Sequence, residues 1–439
     1  MGQRAGLARQ RRHDQARLME TAPPRSNPWL VLGILLLIYI FNFADRYLLT
    51  GLVGPIKEEF GVGDNLMGLL MGPAFVVFYV LMGVPFARLA DRSSRVRIIA
   101  GGCMMWSLAT AATGLASGPV SLALARVAVG LGEAAFVAPA YSLLSDYFRP
   151  ERRGLAFAIL GLATYIGQIA GQAGGPAIAE ATDWRMAFFA IGLPGIVLGL
   201  IALAVVKEPP REGQIEGEVQ VIVPLGKLTA MLGRTPSFML MAVGFGLGIM
   251  SGISFGYWGP ELFARSFAID PVEAKTAFAV NFGMSGLIGM LGFGVLADRL
   301  SKRNRAWPAL LSAIALGAAT VLVVATVWAP TFAIAKWLAI PCGLLGGGWS
   351  VGLFAALQYM LPSAYRASAT ALFVAVTTLL GYFIGPWLTG ALSESLGDNA
   401  ASLQQALTII VPVGLLAGLL AFLAASRLER DRIALSEAA

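Results

Sequence analysis

Arg126 and Glu133 stand in an otherwise apolar stretch running from Ala125 to Ala135, seven residues apart (133 − 126). At 3.6 residues per turn this is nearly two turns of helix. Both side chains then share one face, separated by roughly 10 Å along the axis. A second acid and a second arginine, Asp45 and Arg46, occupy another apolar run. A carboxylate in a low dielectric takes up a proton unless a cation neutralises it. A guanidinium forks two donors toward carboxylate or phosphate. Inside hydrocarbon such groups are costly and mark a functional site by default. That chemistry requires both runs to be membrane helices.

Composition favours this. Apolar residues make up 57% of the 439-residue chain and charged residues only 13%, against about 25% in soluble domains. So few charges cannot cover a soluble surface of this size, whereas a lipid-facing surface removes the need. The only histidine, His13, lies in a polar tail, and Cys103 and Cys342 lie far apart in apolar segments. We therefore expect no disulfide, no metal site, no cofactor and no enzyme, since no nucleophile–base or metal cluster can be assembled. Residues 1–28 are polar and Arg-rich and lead into a full-length apolar run, so no signal peptide is expected.

A membrane span needs about 20 largely apolar residues. Twelve are predicted: 29–51, 66–89, 96–117, 120–145, 154–178, 186–206, 236–262, 274–297, 307–328, 331–360, 367–391 and 405–425. The organisation expected is a basic tail (1–28), a six-helix bundle (29–206), a polar loop (207–235), a second six-helix bundle (236–426) and a short tail (427–439). With the N-terminus in the cytoplasm, 25 of the 32 lysines and arginines fall on cytoplasmic segments and five outside. This satisfies the positive-inside rule and places both termini in the cytoplasm of a multi-pass cell-membrane protein. The same bias accounts for the net charge of +7, so nucleic-acid binding is not expected. Surrounding membrane lipids are the natural neighbours of the basic segments.

The two halves repeat. Ala87-Arg88-Leu89-Ala90-Asp91-Arg92-Ser93-Ser94-Arg95 follows the second span, and Gly294-Val295-Leu296-Ala297-Asp298-Arg299-Leu300-Ser301-Lys302 follows the eighth, 207 residues later (294 − 87). Gly167-x-x-x-Gly171 in the fifth span is matched by Gly381-x-x-x-Gly385 in the eleventh. Small residues at this spacing let helices approach closely. Two parallel-related halves fit a transporter with its substrate site near the midplane between them.

The doubled Leu-Ala-Asp-Arg loop, the twelve spans and the central loop resemble the major facilitator superfamily over about residues 29–426. The first copy departs by having Ala87 where glycine is usual, and Ser94 and Ser301 stand where a second glycine is common. Three stretches are similar to the Spinster family, implicated in sphingosine-1-phosphate and lysophospholipid transport. They are Asn42-Phe43-Ala44-Asp45-Arg46-Tyr47 with Gly51 and Phe60-Gly61-Val62, Arg126 to Ala134, and Asp146-Tyr147-Phe148 to Arg153. The resemblance implies an all-α membrane fold of two pseudo-symmetric six-helix bundles, able to work as a monomer, with the first and fourth spans facing a central cavity.

Counting 1.5 Å per residue, Asp45 lies roughly 24 Å from the cytoplasmic end of its span and Arg126 at a similar depth on the fourth. An Asp45–Arg126 contact is thus allowed, with Glu133 two turns deeper. Asp45 and Glu133 are expected to be proton-coupling sites, with H+ as the coupling ion. Arg126 is read as their switchable partner and as a receiver of an anionic head group. Arg46, about 100° round the helix from Asp45, is a second substrate-binding or switching arginine. The C-terminal spans read as nearly free of ionisable groups and rich in aromatics, with Tyr257, Trp349 and Tyr382 as cavity candidates. A cavity charged on one wall and apolar on the other suits an amphipathic anion, a lysophospholipid or sphingoid phosphate, moved by alternating access. A proton-linked carrier of small organic anions and a multidrug exporter are the alternatives. The resemblance further implies a cytoplasmic gate. Asp91 and Asp298 would each reach a helix N-terminus of the other half, where the dipole favours an anion. Arg92 and Arg299 would extend this to Asp146 or Glu151.

Overall fold

A computed structural model describes residues 26–209, 225–362 and 366–437. Most of the basic tail, residues 210–224 of the central loop and the last two residues lie outside the described residues. Among those described, twelve helices are long and apolar enough to cross a membrane, and no strand occurs. In order they are α1 (Pro28–Gly51), α2 (Asp64–Ala90), α3 (Arg95–Thr113), α4 (Pro119–Tyr147), α5 (Glu151–Ala181) and α6 (Trp184–Val205). The second six are α7 (Pro236–Ser266), α8 (Pro271–Ser301), α9 (Trp307–Val327), α10 (Phe332–Met360), α11 (Ser368–Ser395) and α12 (Ala400–Leu435). All twelve predicted spans are present. We call the face where α1 begins and α12 ends the terminal face, and its opposite the distal face.

The ends are set by local chemistry. Asn27, Ser94, Asp183, Asp270, Thr331 and Asn399 cap helix starts with their side chains, satisfying backbone N–H groups that have no helical partner. Proline follows at the first turn of α1, α4, α7 and α8, where its missing N–H costs nothing. Between α1 and α2 the short helix Val53–Phe60 ends on Gly61 at φ 60°, the left-handed conformation that glycine adopts without strain.

The helices outrun the apolar runs. α12 continues ten residues past the predicted 425, so much of the expected tail is helical. The buried Asp431 accepts from Ser237 N (2.8 Å) and Ser237 Oγ (2.7 Å) at the start of α7. A carboxylate there satisfies free amide groups and is favoured by the helix dipole. The end of the first half is tied down likewise: Tyr147 donates to Lys207 O, and Arg95 bonds Glu208.

The sequence repeat recurs in the backbone. α5 carries a π-helical segment at Ala170–Gly174 and α11 one at Leu379–Phe383, 209 residues on (379 − 170). Both fall at the paired glycines, and each lets its helix press on the first helix of its half. A Cβ at Gly171 would lie 2.4 Å from Ala44 O of α1, and one at Gly385 3.0 Å from Met250 O of α7. Gly171→Val should therefore destabilise the fold by about 1–3 kcal/mol through overpacking. Gly174→Val, where a Cβ meets nothing within 4 Å, should be far milder. Thermal unfolding in detergent checks the pair, and equal midpoints would refute the α1–α5 contact.

Candidate functional site

α1 and α4 bring the four singled-out charges together as two crossed pairs. Arg126 Nη1 donates to Asp45 Oδ2 at 3.2 Å, and Arg46 Nε donates to Glu133 Oε2 at 2.6 Å. The depth argument anticipates the first pair. The second corrects the expectation that Arg126 serves both acids: Glu133 is held by Arg46. The roughly 100° between consecutive side chains on α1 points Asp45 and Arg46 at different levels of α4, so one helix supplies a partner to each. α2 forms the roof. The Arg46 guanidinium lies 4.6 Å from the Phe75 ring centroid and 4.8 Å from that of Tyr79, and Arg126 lies 5.6 Å from Phe75. Such cation–π contacts add to what the carboxylates supply. Close approach is permitted by Gly130, where a Cβ would sit 2.4 Å from Phe75 O.

Asp45, Arg126 and Glu133 are 1%, 1% and 0% exposed. Of the four, the Arg46 side chain alone reaches 10%. The pairing leaves capacity unused. Asp45 Oδ1, Glu133 Oε1, Arg126 Nε and the neighbouring Asn42 Oδ1 are buried without a hydrogen-bond partner among the described residues. An unmet buried polar atom is expensive. Each carboxylate meets its arginine through one oxygen only.

A cavity of about 370 Å³ lies between the halves, lined from α1, α5, α7, α8, α10 and α11. Trp349 and Tyr382 line it as expected, whereas Tyr257 stands behind. None of the four charged residues lines it, and its polar groups include Tyr47, Tyr165 and Gln168. The expected charged wall is thus covered in this conformation, because paired charges can be buried under aromatic rings. Three tyrosines lie next to Arg46 on α1 and across the halves: Tyr257 packs edge-on against Tyr47 (5.3 Å) and Tyr382 (6.4 Å).

A second ionic cluster, at the distal face, went unforeseen. Arg265 of α7 donates from both terminal nitrogens to Asp64 of α2 (2.8 Å each) and from Nε to Glu261 (2.8 Å). Lys57 reaches Asp64 and Asp398, and Ser393 of α11 donates to Asp64. Lys275 of α8 pairs with Glu261 (3.1 Å) and donates to Gly51 O at the end of α1 (2.9 Å). Burial lifts the Asp398 carboxyl above its usual range against the pull of Lys57. Asp64, Glu261 and Lys275 are 0%, 5% and 4% exposed. The C-terminal half is therefore not nearly free of buried charge. Glu261 lies inside the predicted span 236–262, which was the available signal. Lys275 and Asp64 lie at span ends, where sequence cannot separate a solvated charge from a buried one.

At the terminal face Asp298, Arg92 and Arg299 are exposed, and the Asp91 side chain lies outside the described residues. Asp146 pairs with Arg95 rather than Arg92 or Arg299. Arg95 opens α3 beside α4, and it also bonds Ser142 and Glu208 of the same half.

A family model described as Major Facilitator Superfamily matches residues 35–380. The chain belongs to the major facilitator superfamily. An MFS-type efflux pump of Mycolicibacterium smegmatis is 30% identical over 412 residues, covering 92% of this chain and 94% of that protein. Human protein spinster homolog 1 is 29% identical over 448 residues, covering 95% and 84%. The crystal structure of a bacterial homologue of the human lysosomal transporter Spinster, inward-facing and unoccupied, matches the fold with a TM-score of 0.82 at 24% identity. It covers 93% of this chain and 99% of that one. This major facilitator protein is thus similar both to Spinster-type transporters and to an efflux pump.

Two outcomes follow from the ionic clusters. Removing one partner of a buried pair strands the other charge, at about 3–5 kcal/mol. Arg126→Gln should lower thermal stability by that order, and adding Asp45→Asn should restore much of it. A double variant no better than the single would show that the two side chains do not act as a pair. At the distal face, Arg265→Ala frees Asp64 from α7. Alkylation of a cysteine placed at the buried Thr389 of α11 should then quicken, and an unchanged rate would show that the cluster does not hold that face shut.

Proposed function

We propose that this transporter moves an amphipathic anionic, lipid-like substrate by alternating access, coupled to protons through Asp45 and Glu133. The observation that carries the reading is the crossed pairing of Asp45 with Arg126 and Arg46 with Glu133, each acid buried and held by a single arginine. An anionic head group that reaches Arg46 competes with Glu133 for the guanidinium. Glu133, buried and stripped of its counter-charge, then favours protonation. Anion binding and protonation promote each other by linkage. Arg126 and Asp45 can repeat the exchange about two turns along α4. The apolar part of the substrate takes the cavity between the halves, whose lining is mostly glycine, aromatic and aliphatic.

On this reading the distal cluster holds the outer face closed, the terminal face is cytoplasmic, and Asp91 and Asp298 meet the opposite half when that face shuts. The protein sits in the cell membrane and works as a monomer.

A second reading has its own support. The relative at 30% identity is named an efflux pump, and the cavity lining holds no charged residue, which suits export of apolar drugs. A carrier of small organic anions is disfavoured by the same lining. Thermal stabilisation against lysolipids, sphingoid phosphates, small carboxylates and lipophilic drugs separates the three.

For the coupling itself, Asp45→Asn and Glu133→Gln in proteoliposomes should each abolish uptake driven by a pH gradient while leaving counterflow exchange measurable. Undiminished gradient-driven transport in both variants would sink the proposal.

A further inference from the structure

We propose that Gly252 of α7 and Gly346 of α10 keep open the part of the central cavity that receives the substrate's alkyl chain, and so set how long a chain it admits. This rests on the lipid-like substrate reading above and deepens it.

Seven glycines line the cavity, and they fall into two kinds. For four of them a Cβ would collide with a neighbour. It would lie 2.7 Å from the Trp349 ring at Gly248, 2.4 Å from the Tyr165 ring at Gly286, 2.2 Å from Phe282 O at Gly343, and 2.1 Å from Gly286 O at Gly347. Helix packing accounts for these four. At Gly252 a Cβ meets nothing within 4 Å, and at Gly346 only the edge of the Phe282 ring at 4.0 Å. Gly256 is intermediate, with that ring at 3.7 Å.

A glycine inside a helix weakens it relative to alanine. At Gly252 and Gly346 no close contact repays that loss. What glycine provides there is the room itself. Gly252 lies at the middle of the α7 face formed by Phe245, Gly248, Ile249, Ile253 and Gly256, whose helical spacing turns it to the cavity. It is exposed although it lies deep within a span, which is how a cavity-facing position reads. Its neighbours on that face are Phe245, Ile249 and Ile253, a surface suited to hydrocarbon. A Cβ at either position enters the cavity without a close contact to a neighbouring helix.

The test uses the full chain in detergent and lysophosphatidic acids of short, medium and long acyl chain, titrated by thermal shift. Gly252→Leu and Gly346→Leu should weaken binding of the long-chain member about tenfold or more, the scale on which a filled apolar pocket discriminates. The short-chain member should bind as to the parent protein. Gly317→Leu, whose Cβ also meets nothing within 4 Å but which does not line the cavity, should leave every member unchanged. Gly252→Cys gives a readout independent of fold damage: a thiol reagent should label it, and long-chain lysolipid should protect it. Equal weakening at all chain lengths would assign the glycines to conformational change and overturn the proposal. So would unaltered binding in both leucine variants, or labelling that the lipid does not slow. If the parent protein binds no member, the substrate reading fails first, and the chain-length proposal falls with it.

Discussion

Four charges summing to zero, buried where no isolated one could remain, are the constraint on which the N-terminal half depends. Taking a carboxylate or guanidinium out of water costs several kcal/mol, recovered only by close and well-directed partners. The fold has to deliver α1, α2 and α4 to within contact of one another at this level, and small residues do so. Gly130 brings α4 onto α2, and Gly167 and Gly171 bring α5 onto α1. Phe75 and Tyr79 then roof the arginines. Replacing these neighbours by bulkier residues would pull the ions apart without touching a charge.

α1 links this cluster to the distal face. Asp45 and Gly51 are six residues apart (51 − 45), about 9 Å of helix. At the far end Gly51 O accepts from Lys275, and Thr50 accepts from Gln172, which also donates to Gly256 O of α7. One rigid element therefore touches the buried ion pairs at one level and the opposite half at the next. A rearrangement of Asp45 and Arg46 that tilts α1 loads bonds between the halves. On the proposed coupling, this is the physical route from occupancy of the ion-pair site to which face opens.

The fold was legible because hydropathy and helix length are read directly from residue type. All twelve spans and the internal repeat appear in the chain itself, and the Asp45–Arg126 contact follows from counting residues along antiparallel helices. What was not legible depends on rotation and on burial at span ends. The partner of Glu133 is decided by the rotation of α1, which a depth count does not fix. Asp64, Arg265 and Lys275 look like solvated rim charges until the two halves close over them. The separation of charge and cavity was hidden for a related reason. Opposite charges in contact can be buried as a pair, so Asp45, Arg46, Arg126 and Glu133 lie under Phe75 and Tyr79 rather than on the cavity wall.

The account stands on Glu133 exchanging Arg46 for a proton when the anionic substrate arrives. Infrared difference spectroscopy of the reconstituted protein reads that event directly, as a protonated-carboxyl band appearing on addition of a lysolipid anion. We expect the band at neutral pH in the parent protein, its loss in Glu133→Gln, and its presence without substrate in Arg46→Gln. A substrate-induced band that persists unchanged in Glu133→Gln and in Asp45→Asn, or a saturating substrate that produces none, would contradict the central claim.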